Sequence, residues 1–443
     1  MGIKAGRDKS RRQWRLVQAL FFTVSLIWGG WAWWTSWRYR TAMTEIAREI
    51  EARRYGIAAQ SLVTVLAWRP DSDEAAYLLG TCEQARGRSQ AAEKAWARVV
   101  PGSAFSGRAT LSRIHLFHES GRLAAVEQFI SDAAEDPRND GSSLLILLAP
   151  IYYQQGRLDE AERLIETRWE FLNEQGEGAL EPAIKLVRMH IELTSKAISV
   201  ETLSAYFEEV AGLAPMDERV WLGQANLAIR MGAYEAAERL LDACLKRRPQ
   251  DVAVWRARLS WGLATDRIDL VQQALTHLPA AESNPAQLHR LNAWLSRKQG
   301  DVETERRELE RLVAADPADL YALDRLAELA NKDGHPARAA DLFSTKAEIN
   351  RLKARYEKLY DRNQPFRDSV EMAHLAKQLG RVFEARAFLT VAISENPDRD
   401  DLRRDLKRLS QGPRLPTHRR QTLAEVLADE RRQDKKIDVT HSR

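Results

Sequence analysis

The sequence predicts an all-α protein: a right-handed superhelical solenoid of about ten helix-turn-helix repeats, preceded by one transmembrane helix. Two observations predict the solenoid. A short motif recurs about every 34 residues along most of the chain, and each unit has two runs with apolar residues at i, i+3, i+4 and i+7, typical of amphipathic helices. A third observation predicts the span: residues 16–37 are a run of 22 residues without a charged side chain.

Composition limits the function classes. The chain has 443 residues, of which 44% are hydrophobic and 29% charged, so it is too apolar to be disordered. Its two cysteines exclude a disulfide scaffold and any zinc site made of four thiolates. Residues 1–40 carry a net charge of +7 and residues 411–443 of +3, which leaves −6 for the region between them. This distribution argues against nucleic acid as a partner.

The first predicted element is a membrane anchor. Residues 1–15 form a basic segment, and a helix over residues 16–37 is about 33 Å long, enough for a hydrocarbon core of about 30 Å. Trp14 lies at one end of this run and several aromatic residues crowd the other, as in an interfacial belt. The alternatives are a cleaved signal peptide and a buried core helix. Bulky aromatics stand where a cleavage site needs small residues, which favours the uncleaved anchor.

Positive charge predicts the orientation of this anchor. Six Lys or Arg residues precede the run, and three lie in the 15 residues after it. The positive-inside rule therefore predicts a single-pass protein of the cell membrane, with the N-terminus in the cytoplasm and the body outside.

The repeats are predicted to fill residues 39–410. Their motif is an aromatic or aliphatic residue, then alanine three positions on, then a bulky apolar residue four positions further, as in Tyr234, Ala237 and Leu241. In many copies a glycine stands two residues before the motif, where a turn between two helices is expected. These turn glycines are Gly87, Gly121, Gly156, Gly232, Gly300, Gly334 and Gly380.

This pattern resembles the tetratricopeptide repeat (TPR) family of the membrane-anchored bacterial type. The best-matching copy has its signature residues at Trp221, Gly232, Tyr234, Ala237 and Pro249, and an earlier copy has the pair Leu79-Gly80. The resemblance implies paired helices that stack in sequence order, and binding of other proteins in a groove lined by the first helix of each repeat.

Three segments depart from the period. Residues 173–180 read as a surface loop, and residues 337–360 as an extended helix that breaks at residues 363–365. The unit over residues 183–215 lacks the turn glycine and is the least regular. Residues 356–387 also resemble the last repeat segment of bacterial membrane-anchored proteins that continue into an FG-GAP β-propeller, although this chain ends where the propeller would begin.

Catalytic signatures are absent from the sequence. It has no Walker A loop, dinucleotide fingerprint, GxSxG elbow or CxxC motif. His115 and His118 lie three residues apart without a third ligand, and Cys82 and Cys244 read as buried thiols in different repeats. We therefore expect no enzyme activity, no cofactor, no metal and no small-molecule substrate.

The groove is the remaining candidate site. The resemblance implies that the first helices of the middle repeats present mainly cations and one tryptophan to a partner; these residues are Arg219, Asn226, Arg230, Arg256, Arg290, Trp294, Arg297, Lys298 and Lys377. Arginine grips a carboxylate by two hydrogen bonds, so the expected partner is a peptide or helix of another protein, possibly one with an acidic character. The alternative is that these side chains are solvated cations with local partners.

The predicted function is a membrane-anchored scaffold or adaptor of the bacterial envelope. Two alternatives stay open: a non-catalytic subunit that positions an enzyme in cell-envelope assembly, and a self-assembling structural rod. Residues 411–443 are expected to be a charged, disordered tail, or a docking segment for another chain, with a short amphipathic run at residues 423–427.

Overall fold

The computed structural model of the chain describes residues 31, 33–136, 138, 140–174, 180–195, 198–280, 284–410, 422, 423, 426 and 427. The chain divides into two compact units: Met1–Ser120 with Asp136–Asn139, and Gly121–Glu135 with Asp140–Arg443. Within the described ranges the secondary structure is helical, apart from one isolated bridge between Pro279 and Thr422. This agrees with the predicted all-α class.

The first unit consists of helix pairs around one apolar core. Its helices are α1 (33–51), α2 (Tyr55–Trp68), α3 (Asp73–Ala85), α4 (Ser89–Trp96) and α5 (Ser106–Glu119). The buried Leu62, Ala92 and Trp96 belong to one cluster. A Cβ on Gly80 would lie 2.3 Å from the Trp96 ring nitrogen, so the glycine of the family's Leu-Gly pair is required by close packing of α3 on α4.

The second unit contains the remaining helices. They are α6 (Leu123–Glu135), α7 (Gly141–Leu145), a 3₁₀ turn (Ile146–Leu148), α8 (Ala149–Gln154), α9 (Leu158–Glu174), α10 (Leu180–Ser195), α11 (Val200–Leu213), α12 (Glu218–Arg230), α13 (Tyr234–Arg247), α14 (Val252–Ala264), α15 (Ile268–Leu275), α16 (Pro285–Gln299), α17 (Val302–Ala315), α18 (Leu320–Lys332), α19 (Pro336–Arg362), α20 (Pro365–Gln378), α21 (Val382–Glu395) and α22 (Asp400–Ser410). Most helices from α11 onward pack on their neighbours in sequence order, as in a helical repeat array.

The predicted turn glycines have the backbone conformation that a tight interhelical turn requires. All seven have φ between 70° and 77°, a left-handed conformation that costs glycine little. The α14–α15 turn has Asp266 at this position, with φ of 59°. The turn geometry is therefore kept even where the glycine is missing.

Aspartate side chains start several first helices at the same repeat position. Asp217 caps α12, Asp251 caps α14 and Asp319 caps α18, each by accepting a hydrogen bond from a backbone N–H in the first turn. Such caps satisfy amide groups that have no partner inside the helix. The spacing of these caps follows the predicted period.

The extended helix predicted near residue 337 is confirmed. Helix α19 runs from Pro336 to Arg362 and ends at Asn363, which has a left-handed φ of 55°. Pro365 then starts α20. The expected loop at residues 173–180 falls mainly on residues 175–179, which lie outside the described part of the chain.

Helix α10 departs from nearest-neighbour stacking. Besides α9, it packs on α21, about 200 residues further along the chain. The His190 ring lies 4.6 Å from the Phe383 ring, and the Tyr360 hydroxyl donates a 2.8 Å hydrogen bond to Glu192. The unit over residues 183–215, the least regular in sequence, is therefore also one whose first helix packs on a helix that is distant in the chain.

Gly223 marks the close approach of α12 to α11. A Cβ at this position would lie 2.1 Å from the Phe207 ring, which is buried. We expect Gly223→Ala to lower the free energy of unfolding by about 1–3 kcal/mol because the ring has to move in a packed core. Chemical denaturation followed by circular dichroism measures this change.

Gly212→Ala is the matched control for this substitution. Gly212 lies in α11, where a Cβ would meet no atom within 4 Å. Alanine is the better helix former, so this variant should be as stable as the wild type or slightly more stable. Equal destabilisation by both variants would contradict the packing described for Gly223.

The predicted anchor at residues 16–37 falls largely outside the described residues, which begin at residue 31. In the part of the chain that the structure describes, no helix is both long and apolar enough to span a bilayer.

Candidate functional site

The second unit has a cleft between α9 and α12. Its cavity has a volume of about 420 Å³ and is closed by the end of α8, the end of α10 and the start of α11. It is lined by Tyr153, Gln154, Gln155, Gly156, Leu158, Ala161, Glu162, Ile165, Leu193, Thr194, Ile198, Leu203, Gly223, Asn226, Leu227, Ile229, Arg230 and Ser260. A volume of roughly 300–1,000 Å³ with mostly apolar walls and a few polar groups is typical of ligand sites.

A smaller cavity of about 190 Å³ adjoins it on the side of α14. The two cavities share Gly156, Leu158, Asn226 and Ser260. The smaller one is more polar, since Arg157, Asp159, Glu160 and Arg256 also line it. We call the two cavities together the α9–α12 cleft.

A direct contact between α12 and the α8–α9 turn positions the cleft. The Asn226 side chain donates a 2.7 Å hydrogen bond to the backbone carbonyl of Gln155. At Gly156, a Cβ would lie 3.0 Å from the Asn226 Cβ, so a larger residue would push the two elements apart. Helix α12 thus contacts the α8–α9 turn, which belongs to the hairpin two before its own in the chain. Helix α10 belongs to the hairpin between these two, and it packs on α21.

Polar groups at the cleft differ in charge. The exposed Arg230 guanidinium donates a 3.0 Å hydrogen bond to the backbone carbonyl of Ile198, a neutral acceptor. Burial raises the pKa of the Glu162 carboxyl and of the Tyr153 hydroxyl above their ordinary values. Arg230 therefore supplies a positive charge at the cleft, next to an apolar wall.

A buried ion network lies beside the smaller cavity. It consists of Glu127, Arg157, Glu160, Arg219 and Asp251. Arg157 lies 3.0 Å from Glu127 and 2.5 Å from Glu160, while Arg219 pairs with Glu127 and lies 2.7 Å from Asp251. The network ties α6, α9, α12 and α14 together at the base of the cleft.

Charge pairing in this network sets the pKa of Glu127. Burial alone would raise that pKa, but the guanidinium groups of Arg157 and Arg219, with the Tyr152 hydroxyl, lower it to about 2. The carboxylate is therefore ionised in the folded protein at all physiological pH values.

Three of the sequence-predicted site residues lie at the cleft. Asn226 and Arg230 line the larger cavity, and Asn226 and Arg256 the smaller one. Arg256 also lies 3.6 Å from Glu160. Arg219 is placed differently from the prediction: it is only 5% exposed and belongs to the ion network, so it presents no cation to a partner.

The remaining predicted residues lie outside the cleft. Lys298 pairs with Asp266 at 2.7 Å and lies over the half-buried Trp294 ring. Arg297 donates a 2.9 Å hydrogen bond to the Tyr321 hydroxyl.

Arg290 and Lys377 have acidic neighbours. Arg290 lies 2.5 Å from Asp319, and Lys377 lies 3.3 Å from Asp405. Arg290, Lys377 and Lys298 therefore have local acidic partners, as the alternative interpretation expects.

Sequence reasoning missed the wall formed by α9. It took contacts only from first helices, whereas Leu158, Ala161 and Glu162 belong to the second helix of a pair. Gly156 was the available signal, because it placed a turn beside these residues. Among the residues that the structure describes, no three His, Cys, Asp or Glu side chains converge as a metal site.

Comparison with known proteins adds two family matches. Models described as tetratricopeptide repeat match residues 204–259 and residues 48–109. The first segment includes α12 and most of α14, which line the cleft, and the second includes helices α2 to α4. No curated protein sequence matches the chain.

Solved structures that match the chain have low identity to it. The Cut9–Hcn1 hetero-tetramer of the APC/C has 10% identity and a TM-score of 0.31, with 87% of this chain and 94% of that chain covered. The C-terminal part of a TPR repeat-containing protein from Cytophaga hutchinsonii has 12% identity and a TM-score of 0.22, with 63% and 98% covered. From the family matches and the helix pairing, residues 48–109 and 204–259 are tetratricopeptide repeats.

Proposed function

We propose that the protein is a membrane-anchored scaffold that binds a peptide or helix of a partner protein in the α9–α12 cleft. Tetratricopeptide repeats act generally as protein-interaction scaffolds. The observation that carries the proposal is the apolar cavity of about 420 Å³, walled on one side by a segment that matches the repeat family.

The cleft chemistry favours an apolar side chain next to an acidic one. Leu158 in the wall is 48% exposed, so a partner side chain would remove apolar surface from water there. In the contact described above, Arg230 donates to a neutral carbonyl. The positive charge of its guanidinium is therefore available to a carboxylate of a partner. A partner segment with a large apolar residue beside Asp or Glu fits both features.

Exposed tryptophans support the anchoring part of the proposal. Trp31, Trp33, Trp34 and Trp37 are between 47% and 71% exposed, while Ile46, further along α1, is buried in the first unit. Exposed tryptophans at the end of a predicted span suit the boundary between membrane and water. We therefore retain the predicted single-pass anchor over residues 16–37, with the N-terminus in the cytoplasm and the repeats outside.

Capture of partners from membranes tests the cleft. The full chain, Arg230→Glu and Ser260→Trp would be compared after chemical crosslinking, with circular dichroism to check folding. Arg230 and Ser260 are exposed cleft residues, so one change reverses the charge and the other fills the cavity. Both variants should reduce the yield of the captured partner at least tenfold.

Arg297→Glu is the matched control. Arg297 is an exposed arginine on a first helix, outside the cleft. Its reversal should leave capture unchanged. Loss of capture only with Arg297→Glu would place binding on α16 instead, and equal capture by all folded variants would refute the proposed site.

A further inference from the structure

A second apolar site lies among α14, α15 and α16 and contains two residues from near the C-terminus. Leu423 and Leu427 are 3% and 4% exposed, and they belong to the same buried cluster as Trp255, Leu278 and Leu288. The tail was expected to be disordered or to dock on another chain. At these two positions it packs on helices of its own chain.

Backbone contacts also hold this part of the tail. The Leu423 amide donates a 2.8 Å hydrogen bond to the Leu278 carbonyl, and Thr422 forms an antiparallel bridge with Pro279. The Val426 amide donates to the Thr422 carbonyl at 3.2 Å, as in one turn of helix. Leucines four residues apart in such a turn share one face, so both enter the cluster.

The short helix α15 explains why this site exists. Helices α13 and α17 each have 14 residues, whereas α15 has eight and ends at Leu275. Pro279 disfavours helical geometry at the residue before it, so the chain leaves the helix early. Leu423, Val426 and Leu427 of the tail pack on the apolar cluster that α14, α15 and α16 form. We call this surface, lined by Trp255, Leu275, Leu278, Leu288 and Leu291, the α15 cleft.

We propose that the α15 cleft is a docking site for a short amphipathic helical turn, and that residues 422–427 are its exchangeable occupant. A partner segment with leucine at one position and apolar residues three and four positions later would replace the tail. The contacts favour exchange of the tail for another segment. The burial of two leucines must offset the conformational entropy that the tail loses when it binds the α15 cleft. This site is separate from the α9–α12 cleft, and the proposal stands or falls independently of that one.

Peptide binding to the full chain tests the proposal. In the variant Leu423→Asp/Leu427→Asp the tail should leave the α15 cleft, because two carboxylates cannot remain unpaired in an apolar cluster. A fluorescent peptide with the native sequence of residues 418–431 should bind this variant at least tenfold more tightly than the wild type. In the wild type the tethered copy competes at an effective concentration on the order of millimolar.

The control peptide carries the same two aspartates and should bind neither protein. Failure of the native peptide to bind a folded variant, or equal affinity for both proteins, would overturn the proposal. If the variant loses its helical circular dichroism signal, hydrogen exchange in the wild type tests instead whether the tail leaves the α15 cleft. The Leu423 amide should exchange at least a hundredfold faster than the amide of Leu288 in α16, and equal protection would make the tail a fixed part of the core.

Discussion

Replacing Arg219 with methionine is expected to lower the free energy of unfolding by about 3–5 kcal/mol, the usual cost of leaving a buried charge without its partner. Methionine fills much of the volume of arginine, so the loss is mainly electrostatic. It leaves the buried carboxylate of Asp251 without this counter-charge and weakens the pairing of Glu127. Denaturant titration of the wild type and the variant measures the difference.

Arg290→Met is the matched control, because it changes another arginine on a first helix that pairs with an aspartate. The Arg290 side chain is 54% exposed, so water and salt screen its charge, although the Asp319 carboxylate itself is only 4% exposed. Arg290 pairs with one carboxylate and Arg219 with two, so we expect a smaller loss than for Arg219, about 1–2 kcal/mol. Similar losses for Arg219→Met and Arg290→Met would contradict the buried position of Arg219.

The stability that Glu127 contributes should disappear in acid. In the folded protein its pKa is lowered from 4.5 to about 2, so the stabilisation is complete above the unfolded pKa and is lost as the pH falls toward 2. The full effect is about 3 kcal/mol, at about 1.4 kcal/mol for each unit of pKa shift. Between pH 7 and pH 5 the contribution should be constant.

Glu127→Gln isolates this effect from other acidic groups. The difference in unfolding free energy between wild type and variant should shrink as the pH falls from about 4.5 to 3, because the wild-type carboxylate becomes protonated on unfolding. Denaturant titrations at several pH values give this difference. Parallel stability curves for the two proteins over the whole range would contradict the ion network.

Local features of the fold could be predicted from the sequence because local chemistry determines them. Glycines two residues before the repeat motif adopt the left-handed turn, and the helix beginning near residue 337 ends at Asn363 as expected. These elements depend on the backbone freedom of glycine, on proline and on 3.6-residue periodicity, all of which can be read within a single repeat.

Long-range contacts could not be predicted in this way. Ile184, Val187 and Ile191 give α10 a buried apolar face, but the same pattern would suit a neighbouring repeat as well as α21. The periodicity of apolar residues indicates that a helix face is buried, but it does not indicate which element covers that face. For this reason the position of α10, and with it the α9–α12 cleft, emerged only from the structure.

The burial of Arg219 could not be predicted from the repeat either. One period later, the equivalent position is Ala253, a small residue that is 4% exposed. Ala264 stands one period after Arg230, however, and it is exposed. Comparison between repeats therefore does not separate the buried Arg219 from Arg230, which faces solvent at the cleft.

Site-specific photocrosslinking in membranes tests the proposed interaction site most directly. A photoreactive phenylalanine analogue would replace the exposed Leu158 in the wall of the α9–α12 cleft or, as a comparison, the exposed Tyr321 on α18. If the cleft binds a partner segment, position 158 should give a crosslinked product of defined mass that position 321 does not give, and Arg230→Glu should abolish it. Equal products at both positions, or a product at 158 that persists in Arg230→Glu, would contradict the proposed mode of binding.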